Sequence, residues 1–186
     1  MNIGFALCGS FCTYERVFPV MTALAENHKV IPIFSRSAAT LDSRFGTSAE
    51  FLAKAEEICG APPLLTIPDV EPVGPKKLFD ILIIAPCTGN TLAKLSHSIA
   101  DGPVTMAAKS HLRNGRPVLV AVSTNDALSG AAENIGRLLN RKHYYFVPFG
   151  QDDPVNKPNS MVAHFEMIPK AMEAALKGNQ LQPILQ

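Results

Sequence analysis

Two continuous apolar runs, Asp80-Ile-Leu-Ile-Ile-Ala85 and Pro117-Val-Leu-Val-Ala-Val122, constrain this sequence more than any other feature. A strand with no polar face must be covered on both sides, and that burial belongs to parallel sheets whose crossover helices pack on the two faces. The remaining segments fit such a frame. Ile3–Leu7 reads as a strand ending at Cys8-Gly9-Ser10, and Glu15–Glu26 places Val17, Val20, Met21 and Leu24 on one helical face. Lys29–Phe34 is a second strand, which Pro32 places near a sheet edge or at an irregularity because proline cannot donate to a ladder. A helix over 49–59 is expected next, capped by Ser48 and closed by Gly60.

Prolines 62, 63, 68, 72 and 75 break the following stretch, leaving a short strand at 64–67 and a loop. Helices are expected over 104–113 and 127–140, a strand over 144–148 and a last helix over 160–176. Alternating strands and helices imply right-handed crossovers. The expected fold is a flavodoxin-like (Rossmann-like) α/β domain, a three-layer, doubly wound parallel sheet spanning 1–178, with 179–186 as a tail. The 186 residues are enough to bury one core.

Formal net charge is +1, so no strong field draws the chain to nucleic acid or an anionic membrane. The four cysteines show no C-x-x-C pairing and no histidines at zinc-ligand spacing, so no metal site is expected, and Cys8 and Cys12 read as buried reduced thiols. The first residues lack a basic, apolar leader, which makes a soluble cytoplasmic protein the expectation.

In an open α/β sheet, ligands bind beyond the carboxyl ends of the strands. Three of the loops there are rich in small hydroxyl and amide groups: Gly9-Ser10, then Ser35 and Ser37, then Thr88, Asn90 and Thr91. Glycine allows close backbone approach, hydroxyls donate to phosphate oxygens, and helix N-termini present free N–H groups. Each feature also has a plain structural reading, as a turn or a helix cap. The dinucleotide fingerprint G-x-G-x-x-G and the P-loop are absent, which leaves a mononucleotide.

The segment Ala85-Pro-Cys-Thr-Gly-Asn-Thr91, running on to Ile99-Ala-Asp101, resembles the flavoprotein family of homo-oligomeric cysteine decarboxylases. There a Pro-Ala-Ser-Ala-Asn-Thr loop contacts FMN, so the resemblance makes Pro86, Thr88, Asn90 and Thr91 flavin-binding candidates. Ser123-Thr124-Asn125 partly matches a second family loop, Pro-x-Met-Asn, and supplies candidates for flavin or substrate contact or, alternatively, another helix cap. Those decarboxylases carry a His before the central strand; residues 66–80 here contain none, which argues against decarboxylation.

Over the whole chain, Glu71-Pro-Val-Gly-Pro75, Met106-Ala-Ala-Lys109, Ser123-Thr-Asn-Asp-Ala-Leu128 and Phe149-Gly-Gln-Asp-Asp-Pro154 are similar to the sporulation branch of this family. The resemblance implies work in the mother cell with a second protein, a Rossmann-type partner, oxidising dihydrodipicolinate to dipicolinate. It implies FMN here, with NAD(P) on the partner as the other electron carrier, and a homo-oligomer. Two substrate carboxylates call for cationic or N–H donors. Lys109 is the first candidate, on the expectation that its helix leads toward the site, with Arg113 and Arg116 behind it; Asn125 is an amide donor and Glu71 a base. Each of these also reads as an ordinary surface residue. The rival functions are a decarboxylase or prenyl-flavin-type transferase, and a non-catalytic protein that positions its partner.

Overall fold

Five parallel strands form the frame in the order β2-β1-β3-β4-β5: β1 (Asn2–Leu7), β2 (Lys29–Phe34), β3 (Ile81–Cys87), β4 (Val118–Thr124) and β5 (Tyr144–Phe146). The computed structural model describes all 186 residues. This is the flavodoxin order, with its switch point between β1 and β3. The apolar runs become β3, wholly buried, and β4, buried up to Thr124 at its end, side by side in register from Leu82↔Val118. Pro32 lies on the edge strand, as its chemistry requires; its carbonyl accepts from Leu64, the only residue of the expected 64–67 strand that bridges to β2.

One helical layer contains α1 (Tyr14–Ala25), α3 (Ser48–Cys59) and α8 (Ile168–Leu176). A short α2 (Arg36–Thr40) follows β2. The other layer contains α4 (Ile67–Val70), α5 (Gly89–Ser96), α6 (Pro103–Leu112) and α7 (Ala132–Leu139).

Several boundaries differ from the sequence reading for local reasons. Thr47, not Ser48, caps α3, because Thr47 and Glu50 form a reciprocal capping box; Gly60 closes the helix at φ +59°. Residues 67–70 are helix rather than the end of a strand and the start of a loop, since Thr66 and Asp69 form a second capping box with Pro68 in the first turn. The helix expected from 127 starts at 132, because the Asp126 carbonyl gathers the amides of Ser129 and Ala131 into a turn.

The largest correction is at the carboxyl end. The helix expected over 160–176 is instead β7 (Met161–Ala163), a 3-10 turn and α8, and β7 pairs antiparallel with both β6 (Phe149–Gly150) and the end of β4. The sheet is therefore mixed: a parallel frame with an antiparallel hairpin beside the end of β4. The last residues are held as well, with Gln180 bonding both backbone groups of Phe146 and the Phe149 amide donating to Ile184.

Candidate functional site

The carboxyl ends of β1, β3 and β4 open onto two adjoining clefts of about 540 and 1000 Å³, which share Gly9, Phe11, Thr88 and Asn90. The smaller cleft lies where three helices begin. Ser35 caps α2, its hydroxyl accepting from the Ala38 amide at 3.3 Å. Thr88 caps α5, accepting from the Thr91 amide at 3.3 Å. Gly102 precedes α6, whose Thr105 hydroxyl turns back to the Gly102 amide and carbonyl. The amides of Gly89 and Asn90, in the first turn of α5, have no acceptor within the chain. Helix N-termini carry partial positive charge and free donors.

Arg36 and Lys94 add full positive charges to this cleft, against one carboxylate, Asp101, which Lys94 binds at 2.9 Å. That bond holds the Asp101 carboxyl below its ordinary range. The lining is therefore net cationic and rich in donors, the chemistry a phosphate requires.

The larger cleft has a floor of polar side chains tied across the switch point. The Ser10 and Ser123 hydroxyls meet at 2.8 Å, joining the ends of β1 and β4. Thr124 donates to Asp126, and Asn125 is exposed beside them. Gly89 packs against that pair: a Cβ there would lie 2.8 Å from both Thr124 Oγ1 and Asp126 Oδ1. Beneath the floor, the Thr91 hydroxyl donates to Cys8 Sγ at 3.4 Å. Burial pushes the Cys8 thiol up to about 11 and drives Cys87 well above its ordinary value. Cys12, expected to be buried, is exposed at the mouth.

A model of the family described as "Flavoprotein" matches residues 1–172. The chain belongs to the flavoprotein family. It is 47% identical over 185 residues to the B subunit of dipicolinate synthase from Bacillus subtilis, covering 99% of this chain and 92% of that one. The crystal structure of the dipicolinate synthase B subunit from Bacillus halodurans superposes with a TM-score of 0.91 at 47% identity, covering 100% of this chain and 95% of that one. An FMN-dependent cysteine decarboxylase shares the fold at 21% identity and a TM-score of 0.71, over 95% of both chains.

Flavin is the cofactor class this membership implies, and the clefts fit its mononucleotide form. The smaller offers orphan amides, hydroxyls and net positive charge for a phosphate, and the larger offers Phe11, Phe45 and Val162 beside polar groups for a ring.

Of the residues singled out from sequence, the fold gathers Gly9, Ser10, Ser35, Ser37, Thr88, Asn90, Thr91, Ser123, Thr124 and Asn125 around these clefts. Pro86 is buried within β3 and borders neither. Glu71 and Lys109 also border neither cleft. Glu71 sits exposed on a 3-10 turn against α6, where the Thr66 capping box has turned the chain. The expectation that α6 leads toward the site is reversed: the helix begins at the cleft and runs back toward the amino edge of the sheet, with Lys109 in its last turn. Arg116 is spent at that far edge, donating to the Lys77 and Phe79 carbonyls and pairing with Asp80 at 3.8 Å.

Sequence reasoning missed Arg16, Phe45, Asp152 and Lys157 in the larger cleft and Arg36, Lys94 and Thr105 in the smaller. The Gly102-Pro103 pair, a helix-start signal, was the available clue to the third N-terminus. Against the cost of partial burial, hydrogen bonds from Ser160 and Lys157 hold the Asp152 carboxyl below its ordinary range.

Proposed function

We propose that this chain is the flavin-holding component of an oxidoreductase that converts dihydrodipicolinate to dipicolinate, working with a Rossmann-type partner, the A subunit of dipicolinate synthase, in the cytoplasm of a spore-forming mother cell. The observation that carries the reading is the pair of adjoining clefts, one built for a phosphate and one with a polar floor, in a chain so similar along its length to two dipicolinate synthase B subunits. No helix is long and apolar enough to cross a membrane, which fits the proposed compartment.

Bound FMN would supply a two-electron acceptor for aromatising the ring, with NAD(P) on the partner taking the electrons on. The chain's own residues bind and orient. The Gly89 and Asn90 amides, with Ser35, Ser37, Thr88 and Arg36, hold the phosphate and neutralise its charge. Ser10 and Ser123, locked to each other, fix the floor on which substrate rests, and Asn125 offers an amide donor to a carboxylate. Phe11 and Phe45 line the larger cleft and offer apolar surface to a ring. Pro86 acts from beneath the site, where β3 turns into the Thr88 cap. The homo-oligomer expected from the family would close the cleft mouths from outside.

Mixing the purified chain with FMN, the Rossmann-type partner and NAD(P) as the final electron acceptor, and following dipicolinate formation from dihydrodipicolinate, tests this reading. Turnover that needs the chain, its FMN and the partner together supports it. Equal turnover by the two proteins with NAD(P) and no FMN would reduce this chain to a positioning role and overturn the redox one.

A further inference from the structure

Among all seventeen Lys and Arg residues, only Arg16 and Lys157 border the larger cleft. They come from different elements. Arg16 is in the first turn of α1, over the Phe165 ring at 5.1 Å, with its only carboxylate partner, Glu166, at a loose 3.8 Å. Lys157 is carried by the long loop between β6 and β7, where Asp152 holds its ammonium at 3.2 Å and the Lys157 amide donates to the Asp153 carbonyl.

Neither partner exhausts its cation. A guanidinium has five N–H donors and an ammonium three, and at these distances most remain free to turn toward the cleft. Ser123 and Asn125 line the same cleft and can bond a ring edge but cannot balance a dianion. The charged donors that sequence reasoning sought in Lys109, Arg113 and Arg116 are absent from this cleft, and these two stand in it instead.

The geometry points to Arg16 and Lys157, the two cations of the larger cleft, as the pair that binds the two carboxylates of a small planar dicarboxylate. The inference rests on the proposed dipicolinate chemistry and deepens it. It makes the β6–β7 hairpin a specificity element, since the hairpin is what carries Lys157 over the end of β4. It also gives Asp152 a positioning role, as the carboxylate that holds the Lys157 ammonium at the cleft.

The test is calorimetric binding of pyridine-2,6-dicarboxylate and of pyridine-2-carboxylate to the full chain, with and without FMN, so that binding is read apart from turnover. The wild-type chain should prefer the dicarboxylate. Arg16→Gln and Lys157→Gln should each weaken dicarboxylate binding roughly three- to tenfold, modest because both cations are about half exposed. Each should also shrink the preference over the monocarboxylate. Arg16→Lys should recover part of the loss, and Lys109→Gln should change nothing. Wild-type binding with both Gln variants unchanged would overturn the pair while leaving the proposed reaction standing. A wild-type chain that binds neither acid, with or without FMN, would overturn both. Loss in Lys109→Gln alone would return the role to α6.

Discussion

Gly89→Ala places one methyl group where the first turn of α5 meets the end of β4. The added Cβ would sit 2.8 Å from Thr124 Oγ1 and from Asp126 Oδ1, and those two atoms are hydrogen-bonded to each other, so neither is a free chain end that can swing aside. Overpacking of this kind costs about 1–3 kcal/mol. Alanine recovers part of that, because glycine in a helix is about 1 kcal/mol worse and less at the first position. The clash wins, leaving a net loss of about 0.5–2 kcal/mol. At about 2–4 °C per kcal/mol for a chain of this size, Tm should fall by about 1–8 °C.

Gly136→Ala is the matched control. Gly136 is exposed inside α7 and a Cβ there meets nothing within 4 Å, so the same substitution should stabilise by about 0.5–1 kcal/mol. Thermal and urea unfolding of the two variants beside wild type would read the contrast. If Gly89→Ala is as stable as Gly136→Ala, α5 does not pack on the Thr124–Asp126 pair, and the floor of the larger cleft is not the one described.

Two further outcomes follow from buried titratable groups. Burial holds His111 down to about 4, with its Nε2–H donated to the Pro117 carbonyl at 3.0 Å. Between that value and the ordinary 6.5 of an unfolded histidine, the unfolded chain binds more protons, so stability should fall as pH drops from 6.5 toward 4, by up to roughly 3 kcal/mol. Urea midpoints across that window should show the slope, and His111→Gln should flatten it; an unchanged slope would assign the pH dependence elsewhere. Among the thiols, iodoacetamide at about pH 8 should label exposed Cys12 first and leave buried Cys8 and Cys87 unmodified until the chain unfolds, as peptide mass analysis would read. Early labelling of Cys8 would contradict the closed floor beneath Thr91.

The sequence announced its central strands because a run such as Ile81–Ala85 has only one stable setting, and Pro32 announced an edge or an irregularity because it lacks a donor. The post-strand hydroxyl groups were legible for the same reason: the chain order of strands and helices already placed them at one end of the sheet. The antiparallel hairpin was not legible. Its strands are two and three residues long, too short for an alternation to register, and the second of them pairs with the end of β4, far away in sequence. Arg16 and Lys157 were hidden likewise, since nothing local to either signals the other. Lys109 misled because the direction of a crossover helix decides which of its ends meets the ligand, and α6 meets the clefts with Gly102–Thr105.

Titration of the purified chain with FMN, followed by its visible spectrum and by gel filtration, tests the central claim most directly. The flavin should travel with the protein in equal amount, with a spectrum shifted from that of free FMN, and Ser35→Ala with Ser37→Ala should release it. A chain that stays colourless after FMN is added, with all the flavin in the small-molecule fraction, would contradict the account.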